Sequence, residues 1–202
     1  MKAYRIRCSI ISLMFLLSVS LASASELKSD EHNYAITVSN GWTVDFQNVA
    51  GFSINSPDNK KTITLLIHKV NDAMLESGAI AQFEQGLTQA GSQIVSSTNF
   101  TVSGVPAHET VYSIGKAPFA SSSVTLLTVA DGKLYELAGM HSGDDVTRDS
   151  DIQEAFASFH FLQPPKPPSA SFVWRFGPLG VKVAILGVVI VGMLSLIRSR
   201  KT

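Results

Sequence analysis

The 202-residue chain contains one cysteine, Cys8, close to its N-terminus. A single thiol excludes an intrachain disulfide framework, a Cys-ligated zinc site and a CxxC redox motif. Neither sign of charge is in excess, since 16 Lys and Arg balance 16 Asp and Glu. A nucleic-acid binder needs a positive face to neutralise phosphates, and this balance supplies none. Charged residues are also few, at 16% against 45% hydrophobic, which excludes a disordered acidic chain.

The zero net charge conceals a partition. Residues 1–24 carry +3, residues 25–171 carry −8 and residues 172–202 carry +5. Lys2, Arg5 and Arg7 precede an apolar run from Ile10 to Leu21 and then Ala22-Ser23-Ala24. This pattern predicts a secretory signal peptide over 1–24, cleaved after Ala24, with 25–31 as a linker. Cys8 lies in the basic region rather than at the cleavage site, so it is not placed as a lipoprotein acylation site. Leu179 to Ile197 is apolar apart from Lys182 and Ser195, and at 1.5 Å per residue it is long enough for a hydrocarbon core of about 30 Å. It predicts a transmembrane helix over 179–197, with Trp174 and Phe176 at the interface and a basic cytoplasmic tail over 198–202. Neither Leu-Pro-x-Thr-Gly nor Pro-Glu-Pro precedes it, which argues against a sorting signal. Residues 163–178 read as a Pro-rich stalk and interfacial segment, stiffened by polyproline II geometry. The expected location is the cell inner or plasma membrane, single-pass, with the domain periplasmic or extracellular and the C-terminus cytoplasmic.

Residues 32–162 remain for one domain. Asn40-Gly41 between Tyr34–Val38 and Trp42–Phe46 predicts a tight hairpin. Ile63–Val70 is β-branched and predicts a strand. From Ala73 to Ala90, apolar residues recur at helical spacing and Gly91 stands where a helix would stop. Strands follow at Ile94–Val102 and His108–Ile114, then Val124–Val129 and Leu134–Met140 around Asp131-Gly132, a strong hairpin pair. A closing helix is expected with Ser150 as N-cap, Gln153 three residues on, and Ile152, Ala155, Phe156 and Phe159 on one face. This order predicts an α+β fold: a mostly antiparallel sheet covered by helices, an α/β/α sandwich, plus one C-terminal transmembrane helix.

Gly41-Trp42 after a first strand, the amphipathic helix, Val102-Ser-Gly-Val-Pro-Ala107 leading into a strand, the Asp-Gly hairpin and the closing Phe156-Ala-Ser-Phe159 together resemble the PsbP/DcrB/Mog1-like superfamily over residues 32–162. The resemblance implies an α/β/α sandwich and non-enzymatic roles in photosystem II, in bacterial envelopes and as a Ran-binding adaptor. The C-terminal span departs from envelope members that are lipoproteins.

No catalytic, cofactor-binding or metal-ligating residue is assigned. Gly115-Lys116 lacks the remaining glycine and hydroxyl of a phosphate loop. In Gly139-Met-His-Ser142-Gly143 the serine is one position late for a nucleophile elbow. Of the five histidines, 32, 68, 108, 141 and 160, only His68, His108 and His141 could meet on neighbouring strands, where metal binding would still need three or four convergent ligands. His108 and Glu109, adjacent on a strand, point to opposite faces. Asp144, Asp145, Asp149, Asp151 and Glu154 suit the start of the last helix, and Gly143 precedes them where a calcium loop needs its glycine inside. Asn99-Phe100-Thr101 is a formal glycosylation acceptor. The expectation is a membrane-tethered, extracytoplasmic, non-catalytic binding or assembly module of the bacterial envelope, acting through protein contacts and without a cofactor or nucleic acid. The alternatives are an envelope enzyme, hydrolase-like, with a non-local site, or a small-ligand carrier.

Overall fold

The computed structural model describes residues 24–45, 51–69, 79–115 and 120–166. Nine strands and two helices of four residues or more run in the order β1 (Ser25–Ser29), β2 (Tyr34–Val38), β3 (Thr43–Asp45), β4 (Gly51–Asn55), β5 (Lys61–Lys69), α1 (Ala79–Gln89), β6 (Gln93–Val102), β7 (Val105–Ile114), β8 (Ser121–Ala130), β9 (Lys133–Ser142) and α2 (Ser150–Ser158). Seven strands form one antiparallel sheet in the order β3-β4-β5-β9-β8-β7-β6, and β1 and β2 pair separately. Residues 25–31, expected as a linker, therefore carry a strand.

Turn chemistry explains the long hairpins. Ser103-Gly104 and Asp131-Gly132 both adopt positive φ at both positions, the twist that a two-residue hairpin requires. Gly91 has φ +86° and ends α1, with the Ser92 amide donating to the Leu87 carbonyl and the Gly91 amide to that of Thr88, the bonding of a Schellman stop. The Asn40-Gly41 expectation needs correcting. Gly41 does have φ +83°, but β2 pairs with β1 and β3 pairs with β4, so the turn separates two sheets.

The two faces of the large sheet differ in chemistry. One packs Phe52, Ile54, Ile63, Leu65, Val124, Leu126 and Leu137 with Ile36, Ile152, Phe156 and Phe159 in a single apolar core. Gly139 lets α2 approach: a Cβ there would stand 2.7 Å from Ile152 Cγ2 and 3.0 Å from Phe156 Cε2. The opposite face carries α1, whose Glu84 reaches His108. Successive strand residues alternate in face, so Gly139 and the row containing His108 and Glu136 lie on opposite sides and the helices cover opposite faces.

The described residues are thus a mixed α+β domain with a large antiparallel sheet and two helices. The expected transmembrane helix is not part of it: among the described residues, no helix is long and apolar enough to cross a membrane. The stretch 179–197, the signal peptide over 1–24 up to residue 23, and the stalk beyond 166 lie outside the described residues. Single-pass topology and the envelope location inferred from it find no support in this structure, and both are withdrawn. The part of the stalk that is described runs along the domain: the Gln163 amide donates to Asn33 and the Lys166 amide to Asp131.

Candidate functional site

Cross-strand register builds a polar surface on the α1 side. His108, Leu127, Glu136 and Leu66 form one row, followed by Thr110, Thr125, Ala138 and Thr64, then Tyr112, Ser123, Met140 and Thr62. Large apolar side chains are scarce in the last two rows, and small Ala138 leaves a dip. A pocket with a volume of about 30 Å³ lies there, lined by Thr62, Thr64, Leu66, Tyr112, Ile114, Ser123, Glu136 and Met140 among others. That is room for one or two water-sized groups.

Glu136 dominates this pocket. It stands on β9, the central strand of the sheet, and is fully buried (0% exposed), with neither carboxyl oxygen hydrogen-bonded. Among the described residues no Lys, Arg or His pairs with it. Burial penalises the ionised form and pushes its pKa up to about 8, so the carboxyl is protonated at neutral pH. Tyr112 donates to or accepts from Thr125 at 3.2 Å, and burial, added to by the nearby Glu136, pushes its phenol up to about 12. The pocket therefore presents a neutral acid, neutral hydroxyls and apolar walls.

A second polar group lies where β6 and β7 pair. His108 Nδ1 is 2.7 Å from Asn99 Oδ1, and its Nε2 is 3.1 Å from Ser97 Oγ and 3.5 Å from Glu84 Oε1. Burial lowers the pKa of this imidazole, against the opposing pull of Glu84. Ser97, His108 and Asn99 follow the order hydroxyl, base, orienting group, but Ser97 is exposed on an edge strand and the Glu136 pocket has other walls.

The remaining candidates from the sequence are structural. His68 and His108 share the α1 face by register, separated by β9 and β8, while His141 faces the other way with Nδ1 3.0 Å from Asp149 Oδ2; the three do not meet. That contact has the distance of an ion pair without the direction of a hydrogen bond. Asp149, one residue before the expected Ser150, is the N-cap of α2 and accepts from the Ile152 amide. Gln153 reaches the Val146 carbonyl instead of closing a capping box. Asp145 caps the preceding 3₁₀ turn. Lys61 bridges Asp149 at 2.9 Å and Asp151 at 2.5 Å; burial works against its charge, but these bonds outweigh it and hold the lysine above its usual pKa. Ser142 continues β9, its amide bonded to the Lys60 carbonyl, and no strand-to-helix elbow forms. Gly115 is described, but Lys116 of the Gly115-Lys116 pair lies outside the described residues. Among the described residues no group of three His, Asp or Glu side chains is placed to hold a metal ion.

Sequence reasoning missed Glu136. A lone glutamate in an otherwise apolar Leu134–Met140 run was the available signal, because alternation places it with buried neighbours.

No family model and no curated protein sequence matches the chain. Among solved structures it is similar to cyanobacterial PsbP from Synechocystis sp. PCC 6803, with TM-score 0.54 and 13% identity over 71% of this chain and 95% of that one. The Ran-binding protein Mog1p of Saccharomyces cerevisiae gives TM-score 0.49 at 8% identity over 70% and 97%. A protein of unknown function from Pseudomonas aeruginosa gives TM-score 0.47 at 9% identity over 72% and 99%. Likeness to PsbP at this identity shows the fold alone. The expectation of a PsbP/DcrB/Mog1-like domain with a C-terminal membrane anchor is corrected in its second half, since no helix among the described residues can cross a membrane.

Proposed function

We propose that the domain is a non-catalytic binding module whose ligand site is the Glu136 pocket. One observation carries this reading: a fully buried carboxyl with both oxygens unpartnered lines a cavity. Buried polar groups are nearly always hydrogen-bonded, and an orphan costs about 1–3 kcal/mol, so the site is completed by something that enters it. The envelope tether forms no part of this proposal. The test is amide NMR on the full chain during titration with small polar molecules. Saturable shifts at Thr64, Ser123 and Ala138, absent in Glu136→Leu, are the expected result; a wild-type spectrum indifferent to all of them would overturn it.

A hydrolase is the second reading, favoured by the Ser97–His108–Asn99 geometry. A fluorophosphonate probe separates the two. We expect no labelling, and labelling lost in both Ser97→Ala and His108→Ala would replace the binding reading with a catalytic one.

A further inference from the structure

We infer that the Glu136 pocket receives a small primary alkylammonium ion, its charge on the Glu136 carboxylate and its carbon against Leu66 and Ile114. The inference rests on the pocket being a ligand site and adds the chemical class of the guest.

The residues select against the other classes. An anion would meet a carboxyl group. An apolar guest would leave both buried Glu136 oxygens unpartnered, and orphaned buried polar groups are costly. A divalent metal needs several strong ligands, and the lining offers one carboxylate among hydroxyls. A primary ammonium carries three N–H donors, which match a carboxylate plus the hydroxyls of Thr62, Thr64 and Ser123. Opposite charge close by favours the ionised carboxylate, and charge-assisted bonds are the stronger kind. A volume of about 30 Å³ suits a head with one carbon.

The exchange balances in protons. Glu136 releases its carboxyl proton to solvent as the ammonium enters, and the ammonium keeps its own three. Among the described residues the other titratable groups on this face are Tyr112 and His108 from β7, His68 from β5 and Glu84 from α1, and the register puts Asp45 of β3 in the row of Thr64. Burial keeps Tyr112 neutral and lowers both imidazoles, so neither histidine competes as a resident cation. His108 is already bonded to Asn99 and Ser97.

The experiment titrates methylammonium chloride into the full chain at pH 7, read by amide NMR and by calorimetry in two buffers of different ionisation heat. Expected are saturable shifts at Thr64, Ser123 and Ala138, release of close to one proton per ion bound, and affinity about tenfold weaker or worse in Glu136→Gln, which keeps shape and loses charge. Potassium chloride and acetamide are the control arms. If potassium produces the same shifts, or if Glu136→Gln binds methylammonium as wild type does, the ammonium assignment is overturned. If acetamide binds and methylammonium does not, the pocket stands and the assignment falls. If neither binds, the ammonium assignment falls, and the pocket reading falls with it only when the wider titration with small polar molecules is silent as well.

Discussion

Gly139 and Glu136, three residues apart on β9, show how opposite faces of one strand meet different demands. On the α2 side the backbone needs empty space, since a Cβ at Gly139 would press on Ile152 and Phe156. Gly139→Ala should destabilise the domain by roughly 1–3 kcal/mol through overpacking, measured by urea unfolding. On the α1 side a carboxyl is held fully buried. Its raised pKa makes the folded state the better proton binder. The Glu136 contribution is therefore full below the unfolded value near 4.5 and declines as pH rises to about 8. Glu136→Gln should consequently gain stability relative to wild type progressively between pH 4.5 and 8, and unfolding of both proteins across that range checks it. A difference that stays flat with pH would mean that the carboxyl ionises normally in the fold. The sequence made Gly139 visible only as part of a failed serine motif, because its reason lies in α2, which the chain reaches a dozen residues later. Glu136 was hidden for a similar reason: its burial depends on β5, far away in sequence, as well as on the adjoining β8.

Hairpins and helix ends were legible where turn geometry is local. Asp131-Gly132, Ser103-Gly104 and Gly91 each carry the positive φ that their residue types allow. Asn40-Gly41 carries it too, yet its flanking strands choose other partners, β1 and β4, and partner choice is a long-range matter. The start of α2 shows the same division. The cap is Asp149 rather than Ser150, and its carboxylate also pairs with Lys61 on a distant strand. Asp149→Ala removes the cap and leaves Lys61 with only Asp151, so a loss of about 1–3 kcal/mol is expected. Asp149→Asn keeps an acceptor for the Ile152 amide and should lose less. Equal losses in urea unfolding would show that the charge pairing, not the cap, holds α2 in place. Asp151 adds a pH signature: its hydrogen bond to Lys61 comes first in holding it below the usual aspartate value. The stability it contributes is present above pH 3.8 and disappears as pH falls through its lowered folded value.

At the scale of the molecule, the mixed α+β class and the antiparallel sheet were readable from alternation and turns, while the second, two-stranded sheet and the polar face were not. Several titrations combine in the pH profile. The lowered imidazoles of His68 and His108 favour unfolding below pH 6.5, and Glu136 favours it above 4.5. Their slopes oppose between these values; above 6.5 the imidazole slope has ended and the Glu136 decline continues to about 8, Glu109 being raised by burial in the same direction. Wild-type stability should thus fall from about pH 6.5 to 8 and that fall should be missing in Glu136→Gln, as followed by thermal unfolding. Finally, the first and last described segments are each other's partners: Ala35 bridges His160, and Asn33 bonds both Gln163 and Asp131. On a ribosome, synthesis proceeds from β1 to Lys166, and the early hairpin waits for most of that interval with its apolar side uncovered. That side is covered only once α2 and the end of the domain have emerged, so the domain is most exposed to aggregation while it is being made.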